Sequence, residues 1–97
     1  MRDFILLMHN DMTEAPTPAM WQRYFERLNA SGRFDGGSEI GAGACFRQAG
    51  EPAPLSERLG GYIRVRAEDI EDARTFLIGN PVHACGGTVE IRELPRA

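Results

Sequence analysis

The sequence predicts an α+β protein in which an antiparallel sheet carries two helices on one face. Three observations lead to this prediction. Two segments have helical periodicity, the segments around them have strand-like patterns, and the stretch between the helices contains hairpin signals. A chain of 97 residues has the size of one domain, so we expect a single domain over residues 1–97.

The first two elements are a buried strand and an amphipathic helix. Residues 4–8 (FILLM) are a short apolar run, which is typical of a strand covered on both faces. Thr17-Pro18 supplies an N-cap hydroxyl and a proline for the first helical position. A helix is predicted to follow over residues 19–32, ending at Gly32, with an apolar stripe of Met20, Trp21, Tyr24, Phe25 and Leu28.

The middle of the chain predicts three strands and a loop. Residues 33–40 (RFDGGSEI) and 43–49 (GACFRQA) have strand-like character and are separated by small residues, which favours a hairpin or an edge meander. Residues 49–58 contain two prolines and predict a surface loop. Residues 60–67 (GGYIRVRA) then alternate, which indicates a half-buried strand with Ile63 and Val65 on one face.

The last part predicts a second helix and a final strand. Residues 68–81 begin with Asp69 as a possible cap and are expected to end at Gly79 and Pro81. NPVHACGG is then the joint that leads into a strand over residues 87–94, with Val89 and Ile91 inward. The order of strand, helix, three strands, helix and strand predicts a ferredoxin-like sandwich.

Composition limits the classes of function. The net charge of -3 gives no general attraction to nucleic acid or to an anionic membrane. The chain has no apolar run long enough to span a membrane, and the apolar part of its amino terminus is too short for a signal peptide. Cys45 and Cys85 lack CxxC spacing, so reduced thiols and a cytoplasmic location are predicted.

The first strand also predicts a partner. FILLM is apolar on both sides, whereas two helices cover one sheet face, so the other face would leave an apolar patch in water. We therefore predict a homodimer that forms face to face through the sheets.

Six short segments together resemble the YCII-related family, specifically its DGPF branch. They are FILLMHND, W-x-x-Y-x-x-x-L-x-A-S-G-R-x-x-G-G at 21–37, ERLGGYIRV at 57–65, EDIEDA at 68–73, NP at 80–81 and GGTVEIREL at 86–94. The resemblance covers nearly the whole chain and implies a dimeric α+β barrel. It leaves the biochemical role open, since that role is undefined for most members, although some relatives act in the breakdown of chloroaromatic compounds.

The chain departs from this family at two positions. In another branch a His-Asp pair is proposed as catalytic, and the corresponding positions here hold Trp21 and Asn80. An indole does not shuttle protons near neutral pH, and an amide carries no charge that could orient an imidazole. The DGPF tetrapeptide is also missing, because the loop before ERLGGY contains GEPAPLS.

The candidate ligand-binding residues are His9, Trp21 and Asn80, which we expect to line a cleft between sheet and helices. His9 follows the first strand, where ligands often bind, and His83 follows the second helix, so each is a weak candidate for an acid or a base. A surface or loop-bonded side chain is the more common interpretation of both histidines, and a core position is the more common interpretation of Trp21.

Other site chemistries have less support in the sequence. His83 and Cys85 are two positions apart, so their side chains would point to opposite faces of an extended segment. The His-x-Cys spacing does not predict a metal site, and the paired glycines do not form a dinucleotide motif, so neither a metal nor a cofactor is predicted. Glu90 and Arg92 could pair across the dimer seam or bind a ligand carboxylate.

Three functions remain open. The favoured one is a dimeric module that binds a small molecule without covalent chemistry. The second is a small hydrolase, lyase or isomerase that acts on an aromatic or acidic small molecule through His9 or His83. The third is a structural or interaction dimer without a pocket.

Overall fold

The computed structural model describes residues 1–96 and shows one four-stranded antiparallel sheet with helices on one face. The strands are β1 (Arg2–His9), β2 (Phe34–Glu39), β3 (Leu59–Ala67) and β4 (Val89–Leu94). Their order in the sheet is β2-β3-β1-β4, with β1 and β3 at the centre. This is the ferredoxin-like arrangement, so the predicted fold class is confirmed. No helix of the described residues is long and apolar enough to cross a membrane.

Helix α1 (Pro18–Ser31) forms as its sequence predicts. The Thr17 side chain accepts a hydrogen bond from the backbone N–H of Met20 at 3.3 Å, and Pro18 occupies the first helical position. At the other end Gly32 adopts the left-handed conformation with φ of 71°, which glycine reaches without a steric penalty. Tyr24 and Leu28 are the buried residues of this helix.

The predicted second helix is wrong in its extent, because the segment is divided into three short pieces. Helix α2 (Ile70–Ala73) begins at the predicted cap Asp69, and a 3-10 turn (Arg74–Leu77) follows it. The backbone then turns at Gly79, where φ is 76°. Pro81 does not end a helix: it is the first residue of α3 (Pro81–Ala84), in agreement with the preference of proline for that position.

The predicted strand at residues 43–49 is also wrong. Residues 40–58 contain no helix or strand, and Phe46 near the middle of this segment is 90% exposed. The strand β2 therefore pairs directly with β3, with Gly37 opposite Ile63. Small residues and prolines give this stretch little preference for a pleated, half-buried strand, and no apolar face is available to fix it in a sheet.

The core lies between the helices and one face of the sheet. We call this face the inner face; β1 contributes Phe4, Leu6 and Met8 to it, and β3 contributes Ile63, Val65 and Ala67. The helical side supplies Tyr24, Leu28, Ala73, Phe76 and Val82. The opposite side of the sheet, the outer face, carries Ile5, Leu7 and His9 of β1, Tyr62 and Arg64 of β3, and Glu90 and Arg92 of β4.

Candidate functional site

A cleft of about 420 Å³ opens between helix α1 and the inner face of the sheet. Its walls come from the end of β1, the segment before α1, the first turns of α1, and the paired ends of β2 and β3. The apolar residues around it are Met8, Met12, Pro16, Trp21, Phe25, Ile63 and Val82, and Tyr62, whose side chain lies on the outer face, borders it from β3. The polar residues around it are His9, Asn10, Ser38 and Glu39, so the cleft is largely apolar with polar groups on part of its boundary.

Aromatic rings form one wall of this cleft. Trp21 and Phe25 lie one turn apart on α1, and their ring centroids are 5.8 Å apart with the planes inclined by 22°. Phe25 also contacts Phe34 of β2, at a centroid distance of 5.9 Å. Phe25 remains 36% exposed in spite of these contacts, so an apolar ring is available at the cleft.

The wall of the cleft formed by β3 contains Gly61. Gly61 of β3 lies between Met8 and the backbone of β2, and a Cβ at this position would lie 3.2 Å from both the Met8 Cε atom and the Ser38 carbonyl oxygen. A side chain here would therefore be tight against Met8 and the backbone of β2, which favours glycine where the strands approach each other. Gly61 borders the same cleft as Trp21.

Trp21 lies in the cleft, as expected from its position on the apolar stripe of α1. Asn80 does not line this cleft. It is fully buried and caps α3, since its Oδ1 atom accepts a hydrogen bond from the His83 backbone N–H at 3.0 Å. Its Nδ2 atom lies 3.6 Å from the Met8 Sδ atom. Asn80 thus holds in place the short helix that presents Val82 to the cleft.

Tyr24 adds a second buried polar anchor on the same side of the sheet. Its hydroxyl donates a hydrogen bond of 2.6 Å to the Phe76 carbonyl oxygen. Burial raises the pKa of the Tyr24 phenol above its ordinary value, although a hydrogen bond with Asn80 works in the opposite direction. Tyr24 is therefore a neutral donor that fixes α1 against the 3-10 turn.

His9 contributes to the rim of the cleft, but its imidazole pairs across the outer face of the sheet. The Nε2 atom lies 3.1 Å from the Glu90 Oε1 atom, and the other oxygen of Glu90 accepts a hydrogen bond of 3.1 Å from the Arg92 Nη1 atom. Hydrogen bonds from Arg92 and then from His9 hold the pKa of Glu90 below its ordinary value. Glu90 is therefore an ionised partner that orients the imidazole.

A second, more open concavity of about 760 Å³ lies on this outer side, at the end of the sheet that carries His9. The segment before β3 stands over it. The residues around it are Leu7, His9, Pro54, Leu55, Ser56, Glu57, Arg58, Leu59 and Glu90. His9 is thus next to both concavities, while Trp21 borders the first one and Asn80 borders neither.

The histidine and cysteine of the last joint do not form a site. His83 is exposed on α3, whereas Cys85 is buried at the end of that helix. Gly86 then turns the chain with φ of 85°, and a Cβ on Gly87 would lie 2.6 Å from Val82 Cγ1. The glycine pair therefore serves the turn into β4. Within residues 1–96, no three His, Cys, Asp or Glu side chains come together in a way that could hold a metal ion.

Two contributors to these sites were missed in the sequence. Phe25 was assigned to the core stripe of α1, yet it is the most open ring of the cleft wall. Glu90 was considered for the dimer seam, yet it is the partner of His9. The antiparallel pairing of β1 with β4 puts Glu90 opposite Leu7, on the face that also carries His9. This strand register is what links Glu90 to His9.

The fold and the cleft together define a small α+β protein of the ferredoxin-like class with an apolar concavity between helix and sheet. No protein-family model matches the chain, and no curated protein matches it in sequence.

Proposed function

We propose that the chain binds a small, mainly apolar aromatic molecule in the cleft between α1 and the inner face, without covalent chemistry at that cleft. The observation that carries this proposal is the aromatic wall of Trp21 and Phe25 beside an open volume of about 420 Å³. Ligand sites of globular proteins are typically concavities of this size, apolar with a few polar groups that fix orientation.

The composition of the cleft supports an aromatic ligand. A planar ring can stack on Trp21 or contact the edge of Phe25, in the offset geometries that aromatic pairs prefer. Met8 and Met12 are flexible, polarisable side chains that adapt to the shape of such a ring. Glu39 and the backbone around Gly60 supply the polar groups, so a hydroxyl or amine on the ligand would find a partner at the β2–β3 end.

Trp21 provides a direct test because it is the single tryptophan of the chain. The neutral probe N-phenyl-1-naphthylamine should quench Trp21 emission in a saturable way, since it absorbs where tryptophan emits. The Phe25→Ala variant removes a ring from the cleft wall and should weaken binding about tenfold, which corresponds to about 1.4 kcal/mol.

Phe46→Ala is the matched control, because it deletes the same ring from a residue that is 90% exposed and lies outside the cleft. It should leave the dissociation constant unchanged. Equal affinity of the Phe25→Ala variant and the wild type, or quenching that never saturates, would contradict the proposal.

We also propose that two copies of the chain associate through the outer face. Ile5 and Leu7 lie there without a covering helix, at the centre of the sheet. Arg64 and Arg92 flank Ile5 on its two sides, so a contact between copies must pair or solvate these cations.

A dimer at micromolar concentration is expected by light scattering, and Ile5→Glu should dissociate it; a wild-type monomer would refute this second proposal.

The resemblance to the YCII-related family and the cytoplasmic location stay predictions. The proposed ligand cleft depends on neither of them, since it rests on Trp21, Phe25 and the space beside them.

A further inference from the structure

We propose that His9 and Glu90 form a water-activating pair at the outer concavity, and that this pair hydrolyses small, uncharged esters with an apolar acyl group. This site lies on the opposite side of the sheet from the proposed ligand cleft. The proposal therefore does not rest on ligand binding at Trp21, and it requires that the proposed contact between copies at Ile5 leave the end of the outer face at His9 and Glu90 open.

The first step is the orientation of the imidazole. The Glu90 carboxylate is ionised and lies 3.1 Å from His9 Nε2. Nε2 therefore carries a hydrogen and donates a hydrogen bond to the carboxylate oxygen, which can only accept. In the neutral ring, the Nδ1 atom then holds the free lone pair. Arg92 binds the second oxygen of Glu90 and keeps the carboxylate in place.

The second step is access to Nδ1. In the described part of the chain this atom has no hydrogen-bond partner. In that part of the chain, every side-chain nitrogen or oxygen that is shielded from solvent in a buried or partly buried residue has a hydrogen-bond partner. Because Nδ1 has no partner, it is not shielded, and water reaches it. The His9 side chain as a whole is only 14% exposed. The ring is thus held by Glu90, and its basic Nδ1 atom is reached by water at a residue that borders the outer concavity.

The third step is the nature of the substrate. Leu7, Pro54, Leu55 and Leu59 give the concavity apolar walls. Glu57 and Arg58 are adjacent and opposite in charge, so together they add no net charge that would favour an anion or a cation. The other charges near His9 are Asp11, Glu90 and Arg92. An uncharged molecule with an apolar acyl group fits these surroundings.

The proposed reaction needs water as its only second reactant. His9 Nδ1 takes a proton from a water molecule while the water oxygen bonds to the acyl carbon, and the carbonyl electron pair moves to oxygen. The tetrahedral oxyanion then collapses, the bond from the acyl carbon to the alkoxy oxygen breaks, and the leaving alcohol receives the proton from Nδ1. Arg58 lines the same concavity and forms no ion pair within residues 1–96, and it is the cation that the proposal assigns to the oxyanion.

The chain offers a matched pair of variants because it has two histidines. With 4-nitrophenyl acetate as probe, the wild type should turn over repeatedly, at a rate about 100-fold above that of equimolar free imidazole. His9→Gln should reduce the rate to the level of free solution, whereas His83→Gln, which alters an exposed imidazole, should keep the wild-type rate. Equal rates of the wild type and the His9→Gln variant, or an equal loss in both variants, would overturn the proposal.

Two measurements on the folded wild type and one further variant keep the proposal testable if His9→Gln is unstable. Nitrogen-15 NMR of the imidazole should show His9 protonated at Nε2 at neutral pH, and Glu90→Gln should shift this tautomer balance and lower the rate about tenfold. Turnover should also be slower in deuterium oxide, because a water proton moves in the attacking step. A ring protonated at Nδ1 alone, or a rate that is the same in both solvents, would refute water activation by His9.

Discussion

The two faces of strand β1 differ although one short apolar run supplies both. On the inner face Phe4, Leu6 and Met8 are 1%, 0% and 6% exposed and belong to the hydrophobic core. On the outer face Ile5, Leu7 and His9 are only partly buried, and charged residues stand beside them on β3 and β4. A continuous apolar run can thus pack into the core on one face and lie beside polar groups on the other.

The largest expected effect separates these faces with one chemical change. Leu6→Ala should lower the free energy of unfolding by about 2–5 kcal/mol, because Leu6 is fully buried and its removal leaves a cavity. Leu7→Ala, one residue further on, should cost less than about 1.5 kcal/mol, since its site is open to solvent. Urea unfolding of the two variants at low protein concentration measures the difference. Equal losses would show that the outer face is packed as tightly as the inner one.

The sequence predicted the inner face better than the outer one, and the reason is physical. Thr17-Pro18, Gly32 and the spacing of Tyr24 and Leu28 are local signals, so they define α1 without knowledge of the rest of the chain. The alternation in β3 likewise identifies Ile63 and Val65 as buried. These patterns fix which side of each element faces the core.

The outer face depends on contacts between residues far apart in the sequence. His9 and Glu90 are separated by 81 positions and meet only through the register of β1 and β4. The second helix was misjudged because the helical spacing of its apolar residues continues to Leu77, whereas the α-helix ends at Ala73 and a 3-10 turn follows. Asn80 was assigned to the cleft, while the structure places it under α3 as a cap.

The next largest effect on stability tests the role of Asn80 as the cap of α3, the short helix that packs on the inner face. Asn80→Ala removes the cap of α3 and leaves the His83 backbone N–H without its acceptor, so the free energy of unfolding should fall by about 1–3 kcal/mol. Thermal or urea unfolding measures this loss, and an unchanged stability would contradict the role as a cap.

Asn80→Asp is the matched variant, since a carboxylate can also cap a helix. Here it would be buried next to Met8, so its pKa should rise above the ordinary Asp value of about 3.9 in the folded state. Its stability deficit relative to the wild type should therefore grow as the pH rises from about 4 to about 7. A deficit that is the same at both pH values would show that the site tolerates charge.

The smallest effect concerns the polar pair of the outer face. The pKa of Glu90 is lowered in the folded protein, so at acidic pH the unfolded chain binds a proton at this residue more readily than the folded chain does. The stabilisation by ionised Glu90 is therefore fully present above the ordinary glutamate pKa of 4.5. This contribution should be lost as the pH falls through the lowered folded value. Glu90→Gln should thus be less stable than the wild type at pH 7 and converge with it in acid, whereas Glu14→Gln controls for the removal of one negative charge.

The most direct test of the proposed function is an amide NMR titration of the wild type with N-phenyl-1-naphthylamine. Binding in the cleft predicts saturable shifts of the Trp21 indole N–H and of the Gly60 and Gly61 amides, while Leu7 and Glu90 on the outer face stay in place. Saturable shifts that are largest at Leu7 and Glu90, with Trp21 and Gly61 unchanged, would contradict a ligand site on the inner face.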